Sequence, residues 1–195
     1  MANGYRAVST RQIADACGLT QPALYRHFSD KQELYAAVLE EELDTLRLGL
    51  ERIHARNLGI EEQLRQVIRF MPTTRQDLAQ MFHDIGHELD QETRARLQVA
   101  FERSMIAPLA AIFADGMGDG VLRDPAHGGV PPVAAAYLLL GMLQRPTGHT
   151  DRERGGLTSP EQRAEMIVGM MLHGLLAPEA RDNSATADTA GSRDT

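Results

Sequence analysis

Apolar residues recur along most of the chain at spacings of three and four, and no segment sustains the two-residue alternation of a strand, so the pattern predicts an all-α protein. Ser9-Thr10-Arg11-Gln12 has the form of a capping box, after which Ile13, Ala14 and Cys17 make the inner face of a short helix that Gly18 stops. Thr20 caps the next helix, where Pro22 fits because a first-turn amide has no intrahelical partner, and Leu24 and Phe28 face inward. Asp30 and Glu33 form a second capping pair. They open a long helix with Leu34, Ala37, Val38, Leu43 and Leu46 on its apolar face and its end near Arg56.

The same periodicity places further helices at about 60–71, 75–88 and 91–116. The last carries a stripe of Leu97, Phe101, Met105, Leu109 and Phe113, with a kink expected at Pro108. A glycine-rich break from Gly116 to Gly120 precedes two strongly apolar segments, Val133 to Leu143 and Ile167 to Leu176, separated by a polar Pro/Gly loop from Arg145 to Pro160. The final stretch, rich in Ala, Ser, Thr, Asp and Arg, is expected to be disordered. The organisation predicted is a small N-terminal helical domain over 1–45, a larger helical domain over 46–177, and a tail over 178–195.

Composition narrows this picture. A 43% hydrophobic content suffices for a buried core, and no run of eighteen uncharged apolar residues or cleavable leader pattern appears, so a cytoplasmic protein with no membrane partner is expected. One cysteine, Cys17, excludes an intrachain disulfide and a thiolate zinc site. The net charge of −7 argues against nucleic acid only on average. Residues 1–31 hold Arg6, Arg11, Arg26 and Lys31 against Asp15 and Asp30, an excess of +2, so contact with phosphates would be local.

Two short helices joined at Gly18-Leu19 match the helix-turn-helix plan, whose second helix enters the major groove of double-stranded DNA while the first braces it. With Leu24 and Phe28 inward, Gln21, Pro22, Ala23, Tyr25, Arg26 and His27 are left to face DNA. Gln21 suits paired hydrogen bonds to adenine, and Pro22 and Ala23 suit a thymine methyl.

The string from Gly4 through Ser9-Thr10-Arg11-Gln12-Ile13-Ala14 and Gly18-Leu19-Thr20-Gln21-Pro22-Ala23-Leu24-Tyr25-Arg26-His27-Phe28 to Lys31 and Leu34 resembles the TetR (tetracycline-repressor) family. The resemblance covers roughly the first forty residues. It implies that Arg11 and Gln21 read bases with Pro22 and Ala23 in apolar contact, and that Thr10, Thr20, Tyr25, His27 and Lys31 touch phosphates of an operator. It also implies a full helix ahead of the Gly4-Tyr5 turn, where only Met1-Ala2-Asn3 stand. A start codon upstream of Met1 is the expectation, the alternative being a form defective in DNA binding that binds ligand or sequesters partners.

For the second half, the apolar segments near 133–143 and 167–176 suit helices buried against their own chain and against a second copy. Gly141, Gly169 and Gly174 would permit close approach. The resemblance implies a homodimer through these last two helices, a palindromic operator, and a repressor released by a small-molecule inducer. Flexible Met and Phe side chains could line an adaptable apolar pocket, for which Phe70, Met81, Phe82, Phe101, Met105 and Phe113 are the candidates. His83 and His87 have the i, i+4 spacing of a metal pair, but Leu78, Met81, Phe82 and Ile85 mark the buried stripe of that helix and leave both histidines on its polar side. No metal, no cofactor and no enzymatic activity are expected. Gly116, Gly118 and Gly120 lack the preceding strand of a dinucleotide site, and neither Ser104 nor Cys17 has a nearby base in the sequence.

Overall fold

A computed structural model of the chain describes residues 9–71, 89–143 and 160–173, and among these residues every regular element is helical. The helix expected at 75–88, with Met81, Phe82, His83 and His87, lies outside the described residues, as do Met1 to Gly4, Gly174 and the tail.

Helices α1 (Thr10–Ala16) and α2 (Gln21–Tyr25) precede the long α3 (Lys31–His54). α3 ends at His54 rather than Arg56, because Ala55 caps it and Asn57 takes a left-handed φ of 49°. The Asp30 carboxylate accepts from the Glu33 amide as expected, but the Glu33 side chain does not fold back and pairs with Arg96 instead. Helix α4 (Ile60–Phe70) follows, and then α5 (Gln91–Phe101), opened by the Asp90 side chain accepting from the Thr93 amide.

At Pro108 the chain does not leave the helix. A π-helical turn (Glu102–Ile106) connects α5 to α6 (Ala107–Gly118), so that the ring of Pro108 falls in the first turn of α6, where its missing N–H is tolerated. The buried stripe supplies a second reason for the turn. Five residues at strict four-residue spacing drift around a regular α-helix by about 40° per step, and one wider turn returns them to the same side. Leu97, Phe101, Met105, Leu109 and Phe113 are all buried. The combined helix, 28 residues from Gln91 to Gly118, is long and apolar enough to span a membrane, but over half of its most apolar stretch (56%) is buried inside the protein, as in a core helix.

Helix α7 (Pro132–Leu143) lies against α6, and α8 (Pro160–His173) packs on α4 and α7. α8 starts seven residues before the apolar segment that announced it, at the proline expected to close the preceding loop. The described residues build two interior clusters. The larger is built by α3 to α8 around Leu43, Leu50, Leu64, Leu97, Met105, Leu109, Ile112 and Leu139; the smaller contains Ala14, Leu24 and Leu34 with Ile13, Phe28 and Val38 half-buried around them. Cys17, expected on the inner face of α1, is exposed: it is the C-cap, where the chain has already begun to turn away.

Candidate nucleic-acid interface

Local hydrogen bonds explain why the first two helices stand where they do. The Ser9 hydroxyl accepts from the Gln12 amide while the Gln12 side chain accepts from the Ser9 amide, so both ends of the capping box are made. At the other end of α1 the Leu19 amide donates to the Ala14 carbonyl at 2.9 Å and the Gly18 amide to Asp15 at 3.2 Å, a Schellman closure. That closure needs a left-handed residue, and Gly18 supplies it with φ of 67°. The Thr20 hydroxyl then caps α2 by accepting from the Ala23 amide at 3.3 Å.

Leu24 is buried with Ala14 and Leu34, which fixes the roll of α2. Gln21, Pro22, Tyr25, Arg26 and His27 are consequently exposed, as are Arg11 and Thr20; Thr10, Ala23 and Lys31 are half-buried. Three of the predicted residues meet across the two helices. The Thr10 hydroxyl lies 3.0 Å from the Tyr25 hydroxyl, and the Gln21 amide group donates to Thr10 at 3.4 Å. This small polar cluster brings a side chain of α1 to both ends of α2, on the solvent side of the two-helix unit. Arg26, which the sequence places towards DNA without a more specific role, is exposed next to it.

The pocket candidates are divided. Phe101, Met105 and Phe113 belong to the large core, and the Phe70 ring lies against α3 at Gly49, where an added Cβ would collide with the ring. Met81 and Phe82 lie outside the described residues. Beside Met105, in the π-helical turn, Ser104 is fully buried and its hydroxyl has no hydrogen-bond partner among the described residues. On the outer side of the last two helices, Val133, Tyr137 and Leu138 of α7 and Met166 of α8 are exposed, and a Cβ added at Gly141 or Gly169 would meet nothing within 4 Å. Tyr137 donates to the Glu102 carboxylate, a hydrogen bond that holds the phenol in its protonated form and raises its pKa. No group of three or more potential metal ligands occurs among the described residues.

Residues 1–38 match the family described as bacterial regulatory proteins of the tetR family. Over this N-terminal segment the chain carries the TetR-family pattern. Likeness to a solved TetR-family regulator extends beyond the matched segment: PfmR from Thermus thermophilus is 26% identical with a TM-score of 0.64, covering 90% of this chain and 93% of that one. AibR, solved with isovaleryl coenzyme A and operator DNA, is 26% identical with a TM-score of 0.58, covering 87% and 90%. The HTH-type transcriptional activator FasR of Mycolicibacterium smegmatis is 38% identical over 65 residues, 33% of this chain. That match spans 30% of the relative's length.

Proposed function

We propose that this chain is a ligand-responsive, DNA-binding transcription regulator, a repressor that leaves a palindromic operator when a small-molecule inducer binds. The observation that carries the reading is the exposed face of α2, with Gln21, Pro22, Tyr25 and His27 displayed around the Thr10–Tyr25 contact. Arg11 and Gln21 are assigned to base edges, Pro22 and Ala23 to apolar base contact, and Thr10, Thr20, Tyr25, His27 and Lys31 to phosphates. Residues 1–45 form the DNA-reading domain in this proposal and 46–177 the ligand-binding and dimerising domain, with 178–195 as a tail.

Two further parts of the proposal draw on the second half of the chain. The exposed apolar residues of α7 and α8, together with the open space at Gly141 and Gly169, suit a second copy of this chain. Phe70, Phe101, Met105 and Phe113, with Met81 and Phe82, are assigned to the inducer site, and the AibR complex makes isovaleryl coenzyme A a rational first probe.

The test is binding of a duplex from the region upstream of the chain's own coding sequence, titrated at several stated salt concentrations. Arg11→Ala and Gln21→Ala are each expected to cost about 1–3 kcal/mol on the operator, whereas Lys31→Ala weakens all duplexes evenly and lowers the salt slope by about one. Binding curves unchanged for both base-reading variants would remove the assignment. Absence of any binding by the unmodified chain would favour the partner-sequestering or ligand-binding alternative. A promoter fusion then separates repression from the activation named for FasR.

A further inference from the structure

Helix α3 and the continuous α5–α6 helix run in the same direction and are joined at their solvent edge by a series of polar bridges. Arg96 reaches Glu33 at 3.0 Å, Arg103 reaches Asp44 at 3.3 Å and His54 meets Asp115 at 2.7 Å. The partners are separated along the chain by 63, 59 and 61 residues, a nearly constant offset that describes two parallel helices held in axial register. The bridging is densest at the end next to α1 and α2. There the Arg96 Nη1 donates to Glu33 and its Nε to Glu40 at 2.9 Å, while the Gln32 side chain accepts from the Asp90 amide at 2.8 Å.

We propose that Arg96 is a positioning residue for DNA reading: by spanning Glu33 and Glu40 it holds the first turns of α3, and with them the α1–α2 unit, at a fixed angle to the remainder of the molecule. The small cluster of Ala14, Leu24 and Leu34 is separate from the large core, and α3 contributes to both. Position and direction of the DNA-facing unit are therefore set through the N-terminal end of α3. Glu33 and Glu40 lie about two helical turns apart on one face, so a planar guanidinium using two of its edges fixes rotation and axial position together. A lysine ammonium at this place offers attraction without that geometry. Glu33 serves this contact at the expense of the reciprocal half of its own capping box. The three side chains are more than a third exposed, so their worth to global stability is small and their effect is on orientation.

The proposal rests on the DNA-reading assignment only for its functional consequence, and its geometric part is tested without DNA. Cys17, exposed at the end of α1 and the single cysteine of the sequence, accepts one thiol-reactive fluorophore. Fluorescence anisotropy decay of the labelled full chain is expected to show a larger nanosecond wobble amplitude in Arg96→Gln and in Glu33→Gln than in the unmodified chain. Arg96→Lys should fall between, and the thermal midpoint should stay close to that of the parent. Arg65→Gln, which removes a cation that bridges Glu61 of α4 to Glu165 of α8 and touches none of the groups at the start of α3, should leave the decay unaltered.

Anisotropy decays of Arg96→Gln and Glu33→Gln that superimpose on the parent overturn the proposal, as does an equal increase in Arg65→Gln. On a duplex that the parent binds, Arg96→Gln is expected to lower affinity about three- to tenfold, within the range of coupling carried by single residues. Failure of the parent to bind any duplex counts against the DNA-reading assignment alone, since the wobble comparison still decides the clamp.

Discussion

Individual side chains around α1 and α2 carry most of what can be tested by single substitutions. Gly18→Ala meets no steric obstacle but places a Cβ on a left-handed backbone, at a cost of about 1–2 kcal/mol that equilibrium denaturation followed by a probe on Cys17 should register. Asp90 provides a pH-dependent case. The Thr93 amide holds its carboxylate below the ordinary aspartate range. Its contribution to stability is therefore complete at and above that range and declines as the pH falls towards the lower folded value; Asp90→Asn should flatten this part of the acid limb in thermal melts. Residue-level features of this kind divide sharply in how far the sequence discloses them. The caps at Ser9, Thr20 and Asp30 and the stop at Gly18 join residues three to five apart and are legible from type and order alone. The Arg96 bridges and the seat of Phe70 on Gly49 join residues that only the fold brings together, and local pattern holds no signal for them.

At the level of elements, periodicity located the helices of the described residues and their apolar faces, because burial imposes the spacing of three and four directly. It was less informative about their ends and internal irregularities. Pro108 reads as a kink in sequence, and just ahead of it the chain makes a wider turn that also keeps Leu97, Phe101, Met105, Leu109 and Phe113 together. The unbroken four-residue spacing of that stripe was the available sign, since a regular α-helix cannot keep five such residues on one side. Because Met105 is fully buried at this turn, Met105→Ala should cost about 2–5 kcal/mol in chemical denaturation, against little change for Val99→Ala on the exposed side of α5. The start of α8 at Pro160 was hidden because its first turns, Pro160 to Glu165, carry few apolar residues to mark a face.

Among the described residues the molecule has two separate buried clusters, and α3 serves both. Leu24→Ala removes much of the smaller cluster, so hydrogen exchange should lose protection over residues 10–28 while α4 to α8 keep theirs. Sedimentation at micromolar concentration is expected to give a dimer, and Tyr137→Glu on the exposed side of α7 should shift it towards monomer. The composition of the chain foretold none of this division, because hydrophobic content does not reveal how many cores it builds. The sharing of α3 has a geometrical consequence of its own. An α-helix advances about 100° and 1.5 Å with each residue, so α3 acts as a keyed shaft between its two loads. Inserting a single alanine between Leu39 and Leu43 would swing the face bearing Gln21 and Tyr25 by more than a quarter of a revolution, and would carry Tyr35, Ala36 and Leu39 out of phase with the rest of the large core. Length changes are therefore tolerable in the connecting loops but not in this shaft, and a hybrid that joins this α1–α2 unit to another body must match the phase of the helix as well as its sequence.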